Sequence, residues 1–221
     1  EDTVRIFVTN LLNTLLMIVV FIAAINQLGI ETTSIIAVLG AAGLAIGLAL
    51  QGSLSNFAAG ILIVIYRPYK VGDYIQADSH LGTVLDIQIF STVLKTPDNK
   101  LVIVPNGSIM NGSIVNFSHQ AERRVDIIAS CSYDDDIDKV KSVLTDILSK
   151  DERILSEPKP RIALSELADS SVNFIVRPWV KNADYLDVYY SLLEEIKKRF
   201  DQEGISIPYP QSDVHIHNHS E

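Results

Sequence analysis

The chain has 221 residues, 48% hydrophobic and 20% charged, with 27 acidic against 18 basic side chains and a formal net charge of −9. That acidic balance argues against a nucleic-acid partner, because binding phosphates needs a basic face. The hydrophobic content excludes a disordered chain, and a single cysteine, Cys131, excludes an internal disulfide framework.

The averages conceal a segregation. From Ile6 to Tyr66 the one charged residue is Glu31, where an average composition would place roughly a dozen. All 8 prolines lie beyond Tyr66. This distribution reads as a membrane segment followed by a soluble one. The sequence begins at Glu1 without the pattern of a signal peptide, and a further membrane helix is expected to precede it in the natural protein.

The first apolar stretch, Ile6 to Ile30, is long enough to cross a bilayer as a helix, and residues 1–30 are assigned to it. The second, residues 31–66, is interrupted by Gln51-Gly52-Ser53-Leu54-Ser55-Asn56. Gly52 among polar residues is a reason for a kink without proline. The segment after it is too short to span and suits the membrane interface. Arg5, Arg67 and Lys70 flank the pair, while the connecting loop has no basic residue. The positive-inside tendency therefore puts the loop outside and everything after Tyr66 in the cytoplasm.

On a helical wheel with Leu44 at the origin, Ala37, Gly40, Ala41, Leu48 and Gln51 fall within about 60° of it. Gly43 and Gly47 flank this face on one side, Ala45 and Ala49 on the other. A glycine flank that accepts the alanine flank of an identical neighbour is a heterologous contact, and with rotation such contacts close into a ring. Leu44 and Leu48 would then form stacked apolar constrictions of the kind that gate by dewetting. Gly43 and Gly47 also make a GxxxG, which marks simple helix pairing as well.

The remainder reads as soluble structure. Residues 67–118 alternate and are punctuated by turns at Thr96-Pro97-Asp98-Asn99 and Pro105-Asn106-Gly107, with strands at Leu81–Phe90 and Leu101–Val104, which fits a small β-barrel. Residues 119–207 read β-α-β-β-α-β, a ferredoxin-like α+β order. Strands are expected over 125–132, 161–167, 172–180 and 205–207, and helices over 137–149 and 186–203. Residues 208–221 suit one more strand, partnered by other subunits.

No metal, cofactor or enzyme is indicated. Asp134, Asp135, Asp136 and Asp138 sit where a helix begins, which capping explains. His215, His217 and His219 alternate in a tail better read as solvated. His80 and His119 have no ligand at metal spacing, and no nucleophile or phosphate-loop motif occurs. A transporter would need charged groups at the membrane midplane, and none are present. The alternative to a channel is a membrane-anchored binding or scaffold protein with an Sm-like β domain.

Several motifs together resemble the bacterial small-conductance mechanosensitive channel (MscS) family. They are the run Ile36–Asn56, Arg67-Pro68-Tyr69-Lys70-Val71-Gly72-Asp73, Val104-Pro105-Asn106-Gly107, and Gly204-Ile205-Ser206-Ile207-Pro208-Tyr209-Pro210-Gln211. The resemblance implies a homoheptamer in the bacterial inner membrane, with the second and third of three membrane helices, an Sm-like β domain, an α+β domain, and C-terminal strands closing an intersubunit barrel. It implies a tension-opened, weakly selective pore that releases ions and small osmolytes on hypo-osmotic shock, with membrane lipids as partners. Leu44 and Leu48 would be the gate. Ala37, Gly40, Ala41, Gly43, Ala45 and Gly47 would pack neighbouring pore helices. Gln51 and Gly52 would form the kink, with Gly60 a second flexible point. Asn56 would contact the β domain near Asn106 and Gly107, a contact the family uses in inactivation. Ser108 stands where the family often has a basic residue.

Overall fold

Helix α1, Asp2–Gln27, opens a computed structural model that describes residues 2–215. It carries no charge after Arg5 and buries no residue, and it is long and apolar enough to cross a membrane. The loop after it is pinned by Asn26, whose side-chain amide donates to the hydroxyl of buried Thr32 at 3.3 Å. Helix α2, Thr33–Ala49, follows, and then α3, Gln51–Tyr66, bent from α2 by 62°.

The chain forms two compact units. The first holds residues up to Val71 together with Val84–Ile114, and the second holds Gly72–Thr83 together with the residues from Val115 onward. Strand β2, His80–Ile87, runs through both. In the first unit the strand order is β4-β3-β2, with β3 at Ser91–Lys95 and β4 at Leu101–Pro105 paired antiparallel. In the second it is β2-β1-β5, with β1 at Tyr74–Ala77 and β5 at Ile114–Asn116.

Two expectations in this region are corrected. The strand expected to reach Phe90 ends at Ile87. The carbonyls of Gln88, Ile89 and Phe90 leave the ladder because Asn106 takes all three, the first two through its side-chain amide and the third through its backbone N–H. The turn expected at Pro105-Asn106-Gly107 instead starts a six-residue helix, α4, Asn106–Asn111. Pro105 stands at its cap with φ −57° and ψ 135°, still extended, so the helical turn begins at Asn106.

The second unit carries the α+β layer. Strands β6 (Glu122–Arg124) and β10 (Trp179–Lys181) form an antiparallel pair. Strands β7 (Ile127–Cys131), β8 (Arg161–Leu167) and β9 (Val172–Arg177) form a sheet in the order β7-β9-β8. Helix α5 (Ile137–Lys150) buries Val140, Val143, Leu144, Ile147 and Leu148, spaced three and four apart as an amphipathic helix requires. Helix α6 (Tyr185–Glu203) buries Val188, Leu192, Ile196 and Phe200. These stripes share one core with Ile127, Ala129, Cys131, Val172, Phe174 and Val176. Asp136 caps α5, its carboxylate accepting from the N–H groups of Asp138 and Lys139. Gly204, at φ 66°, ends α6 in the left-handed conformation that glycine adopts without steric cost.

The order is thus β-α-β-β-α, and the last strand expected at 205–207 is absent. Ser206 makes one backbone contact there, accepting from Ser132 N–H at 2.9 Å, while its own N–H donates to the Asp135 carboxylate at 3.0 Å. A side chain has taken the donor a ladder would need. Residues 208–215 form no strand. The rest of the tail, with His217 and His219, lies outside the described residues.

Candidate pore helix and its anchor

Along α2 no residue is buried. Leu44 and Leu48 are 66% and 63% exposed. A Cβ added to Gly40, Gly43, Gly47 or Gly52 would meet nothing within 4 Å. Ala37, Ala41 and Ala45 are exposed as well. A charge-free helix of small residues that buries none of them within its own chain presents backbone that another helix can approach closely.

The break between α2 and α3 falls at Leu50, with φ −94° and ψ 0°, one residue before Gln51 and two before Gly52. The ladder is locally intact: Leu50 N–H donates to Ile46 O and Leu54 N–H to Leu50 O, both at 3.0 Å. Gln51 and Gly52 therefore open α3.

Helix α3 is anchored where it meets α4 and the loop after β2. It buries Ala59, Gly60 and Ile63, four and three apart on one face. The helix runs unbroken through Gly60. Gly60 is also a close approach: a Cβ there would lie 2.5 Å from Ile89 O and 2.8 Å from Asn106 Nδ2. One turn earlier, Asn56 Nδ2 donates to Gly52 O at 2.9 Å, and its Oδ1 accepts from Gly107 N–H at 2.8 Å. Asn56, Asn106 and Gly107 thus meet at one junction.

Asn106 is the buried keystone of that junction, with no exposed surface. Its Nδ2 donates to Gln88 O at 3.0 Å and Ile89 O at 3.2 Å, and its Oδ1 accepts from Thr92 Oγ1 at 2.9 Å. Because the Thr92 hydroxyl has one proton and gives it to Asn106, Tyr69 O–H must be the donor across the 2.9 Å Tyr69–Thr92 contact. Burial pushes the Tyr69 hydroxyl pKa up, which keeps it protonated for that role. Nothing local in the sequence marks Thr92 or Tyr69 as functional; Tyr69 lies within Arg67–Asp73 without a signal of its own.

A helix long and apolar enough to cross a membrane, followed by a charge-free helix of small residues, is the pattern of a membrane protein. Comparison with known families gives the same answer. Residues 10–51 match the model for mechanosensitive ion channel transmembrane helices 2/3, residues 52–119 that for the mechanosensitive ion channel beta-domain, and residues 125–207 that for the MscS C-terminal region. The chain belongs to the MscS family of mechanosensitive ion channels.

Among its relatives, the small-conductance mechanosensitive channel of Edwardsiella ictaluri is 51% identical over 90% of this chain and 75% of its own. An MscS family protein of Buchnera aphidicola subsp. Acyrthosiphon pisum is 49% identical over 98% of this chain and 71% of its own. A crystal structure of Helicobacter pylori MscS in a closed state superposes with a TM-score of 0.87 at 36% identity, covering 96% of this chain and 85% of that one.

Proposed function

We propose that the protein is a channel opened by membrane tension, which releases ions and small osmolytes when the cell is diluted. It works as a homoheptamer in the bacterial cytoplasmic membrane, with the domains after Tyr66 in the cytoplasm and lipid around the outer helices. In the ring, the Gly43–Gly47 flank of α2 nests against the Ala45–Ala49 flank of its neighbour. Leu44 and Leu48 then point to the axis as two apolar rings, and the narrow gap between them stays dry. Tension favours the state of larger in-plane area and so draws the rings apart until the pore wets.

The observation that carries this reading is the character of α2: a charge-free helix that buries nothing within its chain, with Leu44 and Leu48 about one turn apart on a face flanked by glycine and alanine. A bare anchor needs only bulk hydrophobicity. The break at Leu50 and the Asn56–Gly107 and Gly60–Ile89 contacts support a mechanical link from that helix to the β domain. Leu48→Ser tests the gate. A hydroxyl in the constriction favours wetting, so the opening tension falls relative to the unsubstituted protein in patch recordings. An unchanged threshold counts against the leucine rings.

A further inference from the structure

In the second unit, Arg123 on β6 is held by stacking. Its guanidinium carbon lies 3.7 Å from the centre of the Tyr185 ring and 5.0 Å from that of Phe117. Alternation along the strand turns Arg124 to the opposite face, where it pairs with Asp126 at 3.1 Å.

Arg123 is half-buried, as are Arg153, Arg177 and Arg199. Those three hold carboxylates, Asp151, Asp126 and Asp146 respectively. Among the described residues the Arg123 side chain makes neither an ion pair nor a hydrogen bond, only its backbone pairing with Val180, in a chain with 27 acidic side chains against 18 basic ones.

The unpaired guanidinium lines a cavity of about 570 Å³ that also takes in Leu81, Ser118, Asn182 and Leu186 and has no acidic residue in its wall. Asn182 Nδ2 is used up on the carbonyls of Phe117 and Gln120. Ser118 Oγ accepts from Tyr74 N–H at 2.9 Å, which leaves its own proton to donate.

We infer that this cavity is a binding site for a small organic carboxylate, whose charged end meets the N–H edge of Arg123 and whose apolar body lies against Leu81 and Leu186. Stacking fixes the guanidinium plane before a ligand arrives, so little side-chain entropy is lost on binding, and the fork geometry of arginine matches a carboxylate through two parallel bonds. A volume of this size suits a small molecule. The inference stands apart from the channel reading and does not need it.

The test is isothermal titration of the purified full chain in detergent micelles, with empty micelles as baseline. Benzoate is the probe and benzamide its neutral isostere. Saturable benzoate binding is expected, weakened at least tenfold both for benzamide and in Arg123→Gln, with Arg123→Lys in between. Equal binding of the two probes to the unaltered chain overturns the inference whatever the variants do, and so does undiminished binding in a folded Arg123→Gln. Absence of saturable benzoate binding overturns it too.

Discussion

The carbonyl oxygen of Ile89 occupies the space where Gly60 would carry a side chain, 2.5 Å from the position of its Cβ. No rotamer relieves that clash, because the obstructing atom is backbone. Gly60→Ala must push α3 away from the loop after β2, an overpacking cost of about 1–3 kcal/mol. Gly52→Ala meets nothing within 4 Å. Thermal unfolding in detergent is therefore expected to show a lowered midpoint for Gly60→Ala and no loss for Gly52→Ala.

The Tyr69–Thr92–Asn106 chain makes an ordered pair of predictions. Thr92→Val removes the middle of the chain and leaves both the Asn106 amide oxygen and the Tyr69 hydroxyl buried without their partner, at about 1–3 kcal/mol for each orphaned group. Tyr69→Phe removes only a donor, since Thr92 still gives its proton to Asn106, and costs about 0.5–1.5 kcal/mol. Denaturant unfolding of the two variants checks the order, with Thr92→Val the less stable.

At the Asn56–Gly107 contact a side-chain oxygen accepts a backbone N–H at 2.8 Å. Asn56→Ala deletes the acceptor, whereas Asn56→Asp keeps one. If this contact links the pore helix to the β domain, the decay of current under sustained tension changes in Asn56→Ala and is closer to the unsubstituted protein in Asn56→Asp. Patch recording at a held pressure separates the two.

In the α+β unit, hydrogen bonds from Arg153 hold the Asp151 carboxyl below its usual range against an opposing contribution from burial. A depressed folded pKa adds stability above the unfolded value, and that stability is lost as pH falls through the folded one. The contribution is therefore complete at neutral pH and fades below about pH 4. Asp151→Asn should lower the unfolding midpoint at pH 7 and narrow its gap to the unsubstituted protein at pH 3. Circular dichroism melts at both pH values measure this.

The sequence made some elements legible and hid others for physical reasons. Charge-free runs and helical periodicity place α1, α2, α5 and α6 within a few residues, because burial in lipid or in a core imposes those patterns directly. The kink is visible as a polar interruption, yet its break falls at Leu50, before the glycine, since helix ends depend on a few dihedral angles. The α4 helix reads as a turn because Pro-Asn-Gly carries turn chemistry. What makes it helical is the burial of Asn106 against residues 14 to 18 positions earlier. Thr92 carries no local signal at all, because its role exists only once the chain has brought Tyr69 and Asn106 to it. Gly60 is the instructive case. A glycine in a helix suggests flexibility, while contact with a distant carbonyl gives it a packing reason that no local pattern reveals.

The channel reading is tested most directly by reconstituting this protein alone into liposomes and recording from excised patches while suction is raised. The account predicts discrete currents that appear only above a threshold tension and vanish on its release. Patches that contain the protein, verified by labelling, and stay silent up to the tension at which the bilayer ruptures would contradict it.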